Sequence, residues 1–373
     1  MTGGATVGDV ARHVLEAFPA QWAEGWDNVG LVLGDATQEV RGVLVTLDPT
    51  PAVIRRAAKT GWNLVVTHHP PFFEPPSPLA ASGSRGIGAL AQSLGVSIVS
   101  AHTNLDRAPA GGDALCAALG IEPLRPLETA PQPMSLVITY VPAEHLDAVA
   151  DAMSLAGAGR IGLYDGCAFV SEGEGRYLPM PGAEPFAGTV DEPTRSPELR
   201  LEMVCAREGT AHVLAAAVAA HPYDEPVVLA ADTLIARGAA RLGRLCELSS
   251  ATTLGALARD IGERLSVNPR VWGAETTAIS RVATATGSGG SLIGDAISAR
   301  AQVLIAGEVR YHDAVDAVGR GLAVIEAGHD ATEWPLIPVL ADAVRATPDL
   351  APAFVNVDRP IVGWWTPNTS DGS

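Results

Sequence analysis

Strand-length apolar runs alternate with amphipathic stretches through most of the chain, and this alternation sets out its elements. Val7, Val10, Val14, Leu15 and Phe18 recur at helical spacing, so residues 6–18 predict an amphipathic helix stopped by Pro19. A loop follows at Glu24-Gly-Trp-Asp-Asn-Val-Gly-Leu31, where Gly30 permits close backbone approach and Asp27 or Asn28 serves either a turn or the wall of a cleft. Val40 to Asp48 predicts a strand, and Pro49 to Thr60 a helix with proline in its first turn. The next run, Asn63-Leu-Val-Val-Thr-His-His-Pro-Pro-Phe72, is a buried strand ended by Pro70 and Pro71, which leaves two imidazoles where strand becomes loop. A Pro/Gly/Ser-rich loop from Pro75 to Gly88 and a helix to about Leu94 come next, then a strand from Val96 to Ser100 that runs into Ala101-His-Thr-Asn-Leu-Asp106. The β-α-β-α-β order predicts a parallel, doubly wound sheet whose right-handed crossovers bring successive strand ends to one edge. His68, His69, His102 and Asp106 share that edge, which is where open α/β sheets bind ligands.

The pattern changes at Glu122 to Pro133, a proline-rich linker. Beyond it come a strand at 135–141, a helix at 142–156, a strand near 166–171, a Gly/Pro-rich excursion through about 197, a strand at 199–205, a helix at 209–220 and a strand at 226–230. This β-α-β…β-α-β order fits an inserted ferredoxin-like α+β domain. His221-Pro-Tyr-Asp-Glu-Pro226 closes its second helix and invites a functional reading, although Pro222 and Pro226 also suit a helix stop and a strand start. After Leu245 the α/β pattern resumes. A helix at 253–265 leads to a strand ending at Thr286, Gly287-Ser-Gly-Gly-Ser291 opens a helix to Ala299, and strand 303–306 ends in Gly307-Glu308. A helix carrying His312, a strand at Leu322 to Glu326 followed by Ala-Gly-His-Asp-Ala-Thr-Glu333, a helix from about Pro338 to Arg345 and a strand at Ala353–Val357 complete the chain. The expected architecture is two doubly wound α/β lobes, residues 1–126 and 237–373, that together form one split domain, with the α+β domain at 127–236 inserted between them.

Composition narrows the function. No apolar stretch approaches the ~20 residues of a membrane span. The start of the chain shows no basic region followed by an apolar one, so a cytoplasmic location is expected. Net charge is −17 and no Lys/Arg cluster stands out, which argues against a nucleic-acid partner. Cys116, Cys167, Cys205 and Cys246 include no C-x-x-C pair, so any metal must rely on histidine and carboxylate.

Such groups stand at the expected strand ends. His68, His69 and His329, with Asp106 and Glu333, lie at or just after three different strands. Neighbouring strand residues point to opposite faces, so His68 and His69 serve one site only if the backbone turns, as Pro70 suggests, and then more naturally take one ion each. A carboxylate can bridge two ions, so the set is economical for two metals, between which a bridging hydroxide is a nucleophile at neutral pH. Gly287-Ser-Gly-Gly-Ser291 imitates a dinucleotide fingerprint, but Leu292 stands where its third glycine is required. Tyr311 and Trp334 are candidates to stack on a base or to fill the core.

These fragments resemble the Nif-three-like dinuclear metal centre family, widely labelled GTP cyclohydrolase I type 2 homologues. The resemblance is carried by Trp26-Asp-Asn-Val-Gly-Leu31, Thr67-His-His-Pro70, His102-Thr-Asn-Leu-Asp106, Gly307-Glu308 with His312, and Gly328-His-Asp-Ala-Thr-Glu333. It implies that His68, His69, Asp106, His329 and Glu333 are metal ligands and that the chain assembles as a homohexameric ring around a cavity. It also implies that the insert is similar to the regulatory-protein-like domain of long members, with which it shares Gly157 to Gly162 and His221 to Pro226. Glu308 departs from the aspartate of many relatives. Nitrogen and oxygen ligands leave Zn²⁺, Fe²⁺ and Mn²⁺ open for two divalent ions per subunit. The expected function is a metal-dependent hydrolase of a nucleotide-like or phosphorylated small molecule, with His102, Glu308 or His312 moving protons. The alternative is a non-catalytic assembly that stores, senses or delivers metal.

Overall fold

The computed structural model describes residues 4–73, 84–162, 164–351 and 355–357. The first part of the Pro75–Gly88 loop and Ala353, at the head of the expected last strand, lie outside these residues. The chain forms two compact units, one made of Met1–Thr129 with Ala239–Ser373 and one of Ala130–Gly238. Before the insertion come strands β1 (Gly30–Leu33), β2 (Val43–Thr46), β3 (Leu64–Thr67), β4 (Ser97–Ser100) and β5 (Pro123–Pro126). The insertion holds β6 (Gln132–Val141), β7 (Ala168–Tyr177), β8 (Thr194–Ala206) and β9 (Val228–Ile235). After it follow β10 (Arg244–Thr253), β11 (Arg270–Trp272), β12 (Ala278–Thr284), β13 (Val303–Ala306), β14 (Ala323–Glu326) and β15 (Val355–Val357).

The discontinuous unit contains two sheets. One has the order β1-β4-β3-β2-β15, parallel except for the antiparallel edge strand β1. Its strands β2, β3 and β4 are buried along their whole length, as strands covered on both faces must be. Val53, Ile54, Ala57 and Ala91 from helices Pro51–Lys59 and Ser84–Ser93 pack on one face. Helices Val7–Ala17 and Leu336–Arg345 pack on the other, where Val10 and Val14 meet Leu336, Leu340 and Val344. The second sheet has the order β11-β14-β13-β12-β10-β5, with β12, β13 and β14 parallel and the flanking strands antiparallel. Leu115, Cys116 and Leu119 of helix Pro109–Leu119 cover one of its faces together with Leu254, Leu257 and Ile261.

The sheets do not divide at the insertion. Helix Leu336–Arg345 and β15, from the end of the chain, complete the first sheet, while helix Pro109–Leu119 and β5, from before the insertion, complete the second. Apolar periodicity shows which face of a helix is buried but not which sheet it is buried against. The periodic reading also passes over β1, β5, β10 and β11. Strand β11 spans only three residues, and β5 lies inside the proline-rich linker, where prolines are tolerated because the strand is at a sheet edge.

The unit Ala130–Gly238 runs β-α-β-β-α-β, and its sheet has the order β7-β8-β6-β9, antiparallel throughout. Val137, Val141, Leu201 and Met203 of β6 and β8 share a core with Val149, Met153, Val213 and Ala217 of its two helices. The β7–β8 ladder extends to the pair Tyr177↔Thr194, so the excursion is shorter than the apolar pattern suggests. Glu172, Gly173, Glu174 and Arg176 on β7 are exposed and give no alternation to read.

Candidate metal centre

The histidine pair owes its position to β3. Thr67 ends that strand, and its Oγ1 donates to the carbonyl of His69 at 2.7 Å, which turns the backbone immediately after the strand. Both rings therefore reach the same side, with centroids 5.0 Å apart. The parallel register aligns Thr46 with Thr67, so Asp48 and His69, each two residues further on, come together, with Asp48 Oδ1 2.7 Å from His69 Nδ1. His68 is fully buried, and its Nδ1 lies 2.9 Å from the carbonyl of Ala101, at the end of the neighbouring β4.

The same arrangement recurs at the other histidines. His102 Nδ1 is 2.9 Å from Asp27 Oδ1, and His329 Nδ1 is 3.3 Å from Glu308 Oε1. In each of the four rings Nδ1 thus faces an oxygen, which leaves Nε2 as the nitrogen available to a metal. Histidines that bind metal are oriented in this way by their outer hydrogen bonds.

Glu333 stands at the centre. It shares a face of helix His329–Glu333 with His329, and its Oε1 is 2.9 Å from His329 Nε2 and 3.7 Å from His68 Nε2. Its Oε2 is 3.0 Å from His69 Nε2. Asp106 Oδ2 approaches His68 Nε2 at 3.6 Å, while Asp106 Oδ1 accepts from the Thr286 hydroxyl at 2.6 Å. Gly287, with φ of +55°, follows Thr286, and a Cβ there would fall against Glu333 Oε1. The cluster thus lies between the carboxyl ends of β3 and β4 in one sheet and of β12 and β14 in the other.

Among the described residues, three groups of side chains have ligating atoms within 4.8 Å of one another: His68 with His69 and His102; His69 with His329 and Glu333; and His68 with Asp106 and Glu333. The donor set fits a divalent cation. His68 Nε2 is buried with no hydrogen-bond partner, a costly state for a polar atom unless a cation completes it. Without one, the groups neutralise each other through protons. Burial works against a charged His69, but Asp48 and Glu333 outweigh it and raise its pKa to about 10. Glu333 raises His329 to about 8. Burial opposes ionisation of Glu333, yet His329, His68 and His69 hold its carboxyl well below the usual range.

All five expected ligands meet here, and His102, expected as a proton carrier, also lies within ligating distance of His68 and His69. Glu308 stands at the exposed rim, 62% accessible, against His329. His312 lies outside all three groups, and its ring meets Tyr311 edge-on at 5.2 Å. Trp334 is half-buried against the first core, whereas Tyr311 is exposed and packs on Trp272. The glycine-rich turn is locked by its neighbours: Gly287 N donates to Thr332 Oγ1 and Gly289 N to the carbonyl of Glu308. Sequence reasoning did not single out Asp48 or Thr286. Asp48 was within reach, because parallel pairing of the two strands sets it beside His69.

Fold and site together define an α/β protein with a buried histidine and carboxylate cluster able to hold a metal ion. The chain belongs to the Duf34/NIF3 (NGG1p interacting factor 3) family, whose pattern matches residues 5–359. A GTP cyclohydrolase 1 type 2 homolog of Mycobacterium leprae is 35% identical over 352 residues, covering 92% of this chain and 90% of that protein. One from Bacillus subtilis is 35% identical over 329 residues, covering 85% and 86%. The crystal structure of a Bacillus cereus protein related to NIF3 shares 29% identity and a TM-score of 0.61, covering 96% of this chain and 97% of that one. No helix among the described residues is long and apolar enough to cross a membrane.

Proposed function

We propose that the chain is a dinuclear metal-dependent hydrolase acting on a nucleotide-like or phosphorylated small molecule. The observation that carries this reading is the position of Glu333, which belongs both to the group with His69 and His329 and to the group with His68 and Asp106. A carboxylate shared in this way would bridge two ions, one held by each group. Two such ions, when bound, activate water at neutral pH and polarise the bond to be cleaved. The chain's own residues supply the rest. Asp48, Asp27 and the Ala101 carbonyl would hold His69, His102 and His68 in one tautomer, and the exposed Glu308 carboxylate beside His329 would exchange protons with solvent. Trp26 and Phe73, exposed and edge-on at 5.3 Å beside His102, offer flat apolar surface to a base. The name of the relatives points to GTP as the first compound to try. Assembly as a homohexameric ring goes with this reading and would appear in light scattering as six times the chain mass.

Protein purified without chelators should carry two equivalents of divalent metal and turn over GTP or a generic phosphoester. His68→Ala should lose metal and turnover together. Full occupancy without turnover of either compound would overturn the hydrolase and leave an assembly that handles metal.

A further inference from the structure

The unit Ala130–Gly238 contains a cavity of about 280 Å³ that the metal chemistry does not use, at the small end of the range that holds organic ligands. Its walls are aromatic: Tyr140 from β6, Tyr177 from β7, Phe186 from the following loop and Tyr223 after the second helix. Phe186 and Tyr223 have ring centroids 5.8 Å apart. Phe186 is 45% exposed at the mouth, where the His145 ring meets it edge-on at 5.4 Å.

The polar groups among these rings have a definite sign. Glu198, Asp224 and Glu225 line the cavity, and the salt bridges among the described residues include none to any of the three. Among the described residues Arg176 is the one cationic side chain of the lining, and its Nε is already 2.7 Å from Glu174, which is not part of the wall. Glu198 receives the Tyr223 hydroxyl at 2.7 Å and so is oriented by a neutral donor rather than neutralised by a charge. An anion would meet three carboxylates here. A cation would meet carboxylates and the faces of electron-rich rings, the two surfaces that attract it.

The frame is built from the hexapeptide whose role the sequence left open. His221 is buried, and its Nε2–H donates to the Tyr140 carbonyl at 2.9 Å, which leaves Nδ1 to accept the Tyr223 backbone N–H at 3.1 Å. This sets Tyr223 against Glu198. Asp224 Oδ2 accepts from Glu184 N at 3.1 Å and so ties the loop that bears Phe186 to the same turn. Two prolines would suffice to stop a helix and start a strand; a histidine bonded at both nitrogens and a tyrosine–carboxylate pair are more than that task requires.

We propose that this cavity is a binding site for a small organic cation, an alkylammonium or alkylguanidinium, held between the Tyr177, Phe186 and Tyr223 rings and the Glu198 carboxylate. The probes are butylammonium and butylguanidinium, titrated calorimetrically into the full chain at physiological ionic strength, with butanol and butyrate as neutral and anionic controls of the same length. Both cations should bind and neither control should. Glu198→Gln should weaken binding about tenfold, the order of a charge-assisted contact with an aromatic contribution. Phe186→Leu should weaken it about threefold, and Asp147→Asn, an exposed acid of helix Leu146–Leu155 outside the cavity, should leave it unchanged. Binding of butanol as tight as that of the cations, cation binding that survives both cavity substitutions, or no binding at millimolar concentration would each overturn the proposal. If Glu198→Gln fails to fold, Phe186→Leu decides alone, because its ring is half-exposed and carries little of the core.

Discussion

Asp27 and His102 stand 75 positions apart in sequence and are joined by a 2.9 Å bond between Oδ1 and Nδ1. The other oxygen of Asp27 accepts from the backbone N–H and hydroxyl of Thr103, so one carboxylate both orients the imidazole and starts the short helix that carries Asp106. Burial opposes its charge, but His102 and Thr103 hold it below the usual aspartate range. Asp27→Asn should weaken metal binding about tenfold, the usual effect of losing the partner that orients a ligand. It should also cost about 1 kcal/mol of stability at the helix start. Metal retention in graded chelator buffers and thermal unfolding would check the two effects separately. Unchanged metal affinity would place His102 outside the ligands.

Gly287→Ala tests the packing of Glu333 without touching a ligand. The added Cβ would enter the space of Glu333 Oε1 and approach His329 Nε2, at a residue whose positive φ already disfavours alanine. Glu333 must move, and with it the carboxylate shared between two groups. Bound metal should fall by half or more while circular dichroism stays close to that of the parent. A variant with full metal content would show that Glu333 is not a ligand in its present position.

Metal loading should release protons. In the metal-free protein the pKa values of about 10 for His69 and about 8 for His329 mean that both rings carry a proton at neutral pH. A cation must displace it, so loading at pH 7 should free about two protons. The sign follows: lowering the pH strengthens the protonated, metal-free state and weakens binding, and raising it above about 8 removes the competition of His329 first. Titration calorimetry in buffers of different ionisation enthalpy measures the count. Loading without proton release would rule out these two histidines as ligands.

Glu326 ends β14, and its buried carboxylate takes Arg270 Nη2 at 2.8 Å, Trp272 Nε1 at 2.6 Å and Val309 N at 3.0 Å. Burial opposes its ionisation, but these donors win and lower its pKa. A carboxylate lowered by folding adds stability above its unfolded value and loses it as pH falls through the folded one. Glu326→Gln should therefore lower the melting temperature at neutral pH, and the gap from the parent should close below about pH 4. A gap that does not change with pH would mean that the charge contributes nothing.

How much of this could be read from sequence depended on whether the signal was local. The run Leu64 to Thr67 followed by two histidines and two prolines displays a buried strand and its end, and the spacing of His329 and Glu333 displays one helical face. Asp27 gave no local sign of its partner, since only the folded chain brings it to His102. Thr286 likewise meets Asp106 across two sheets that share no hydrogen-bonded strand pair among the described residues. Strand β1, with one of its four residues buried, lacks the apolar run that gave away β2, β3 and β4.

The placement of β15 and helix Leu336–Arg345 on the first sheet has a bearing on how the protein is made. Val10, Val14, Val45 and Val66 are made well before Leu336, Leu340 and Val344, which form part of their apolar cover. Without that helix, the first helix, Val7–Ala17, covers only part of that face, and Glu333 is made long after His68 and His69. The metal cluster therefore cannot close until the last helices of the chain are in place.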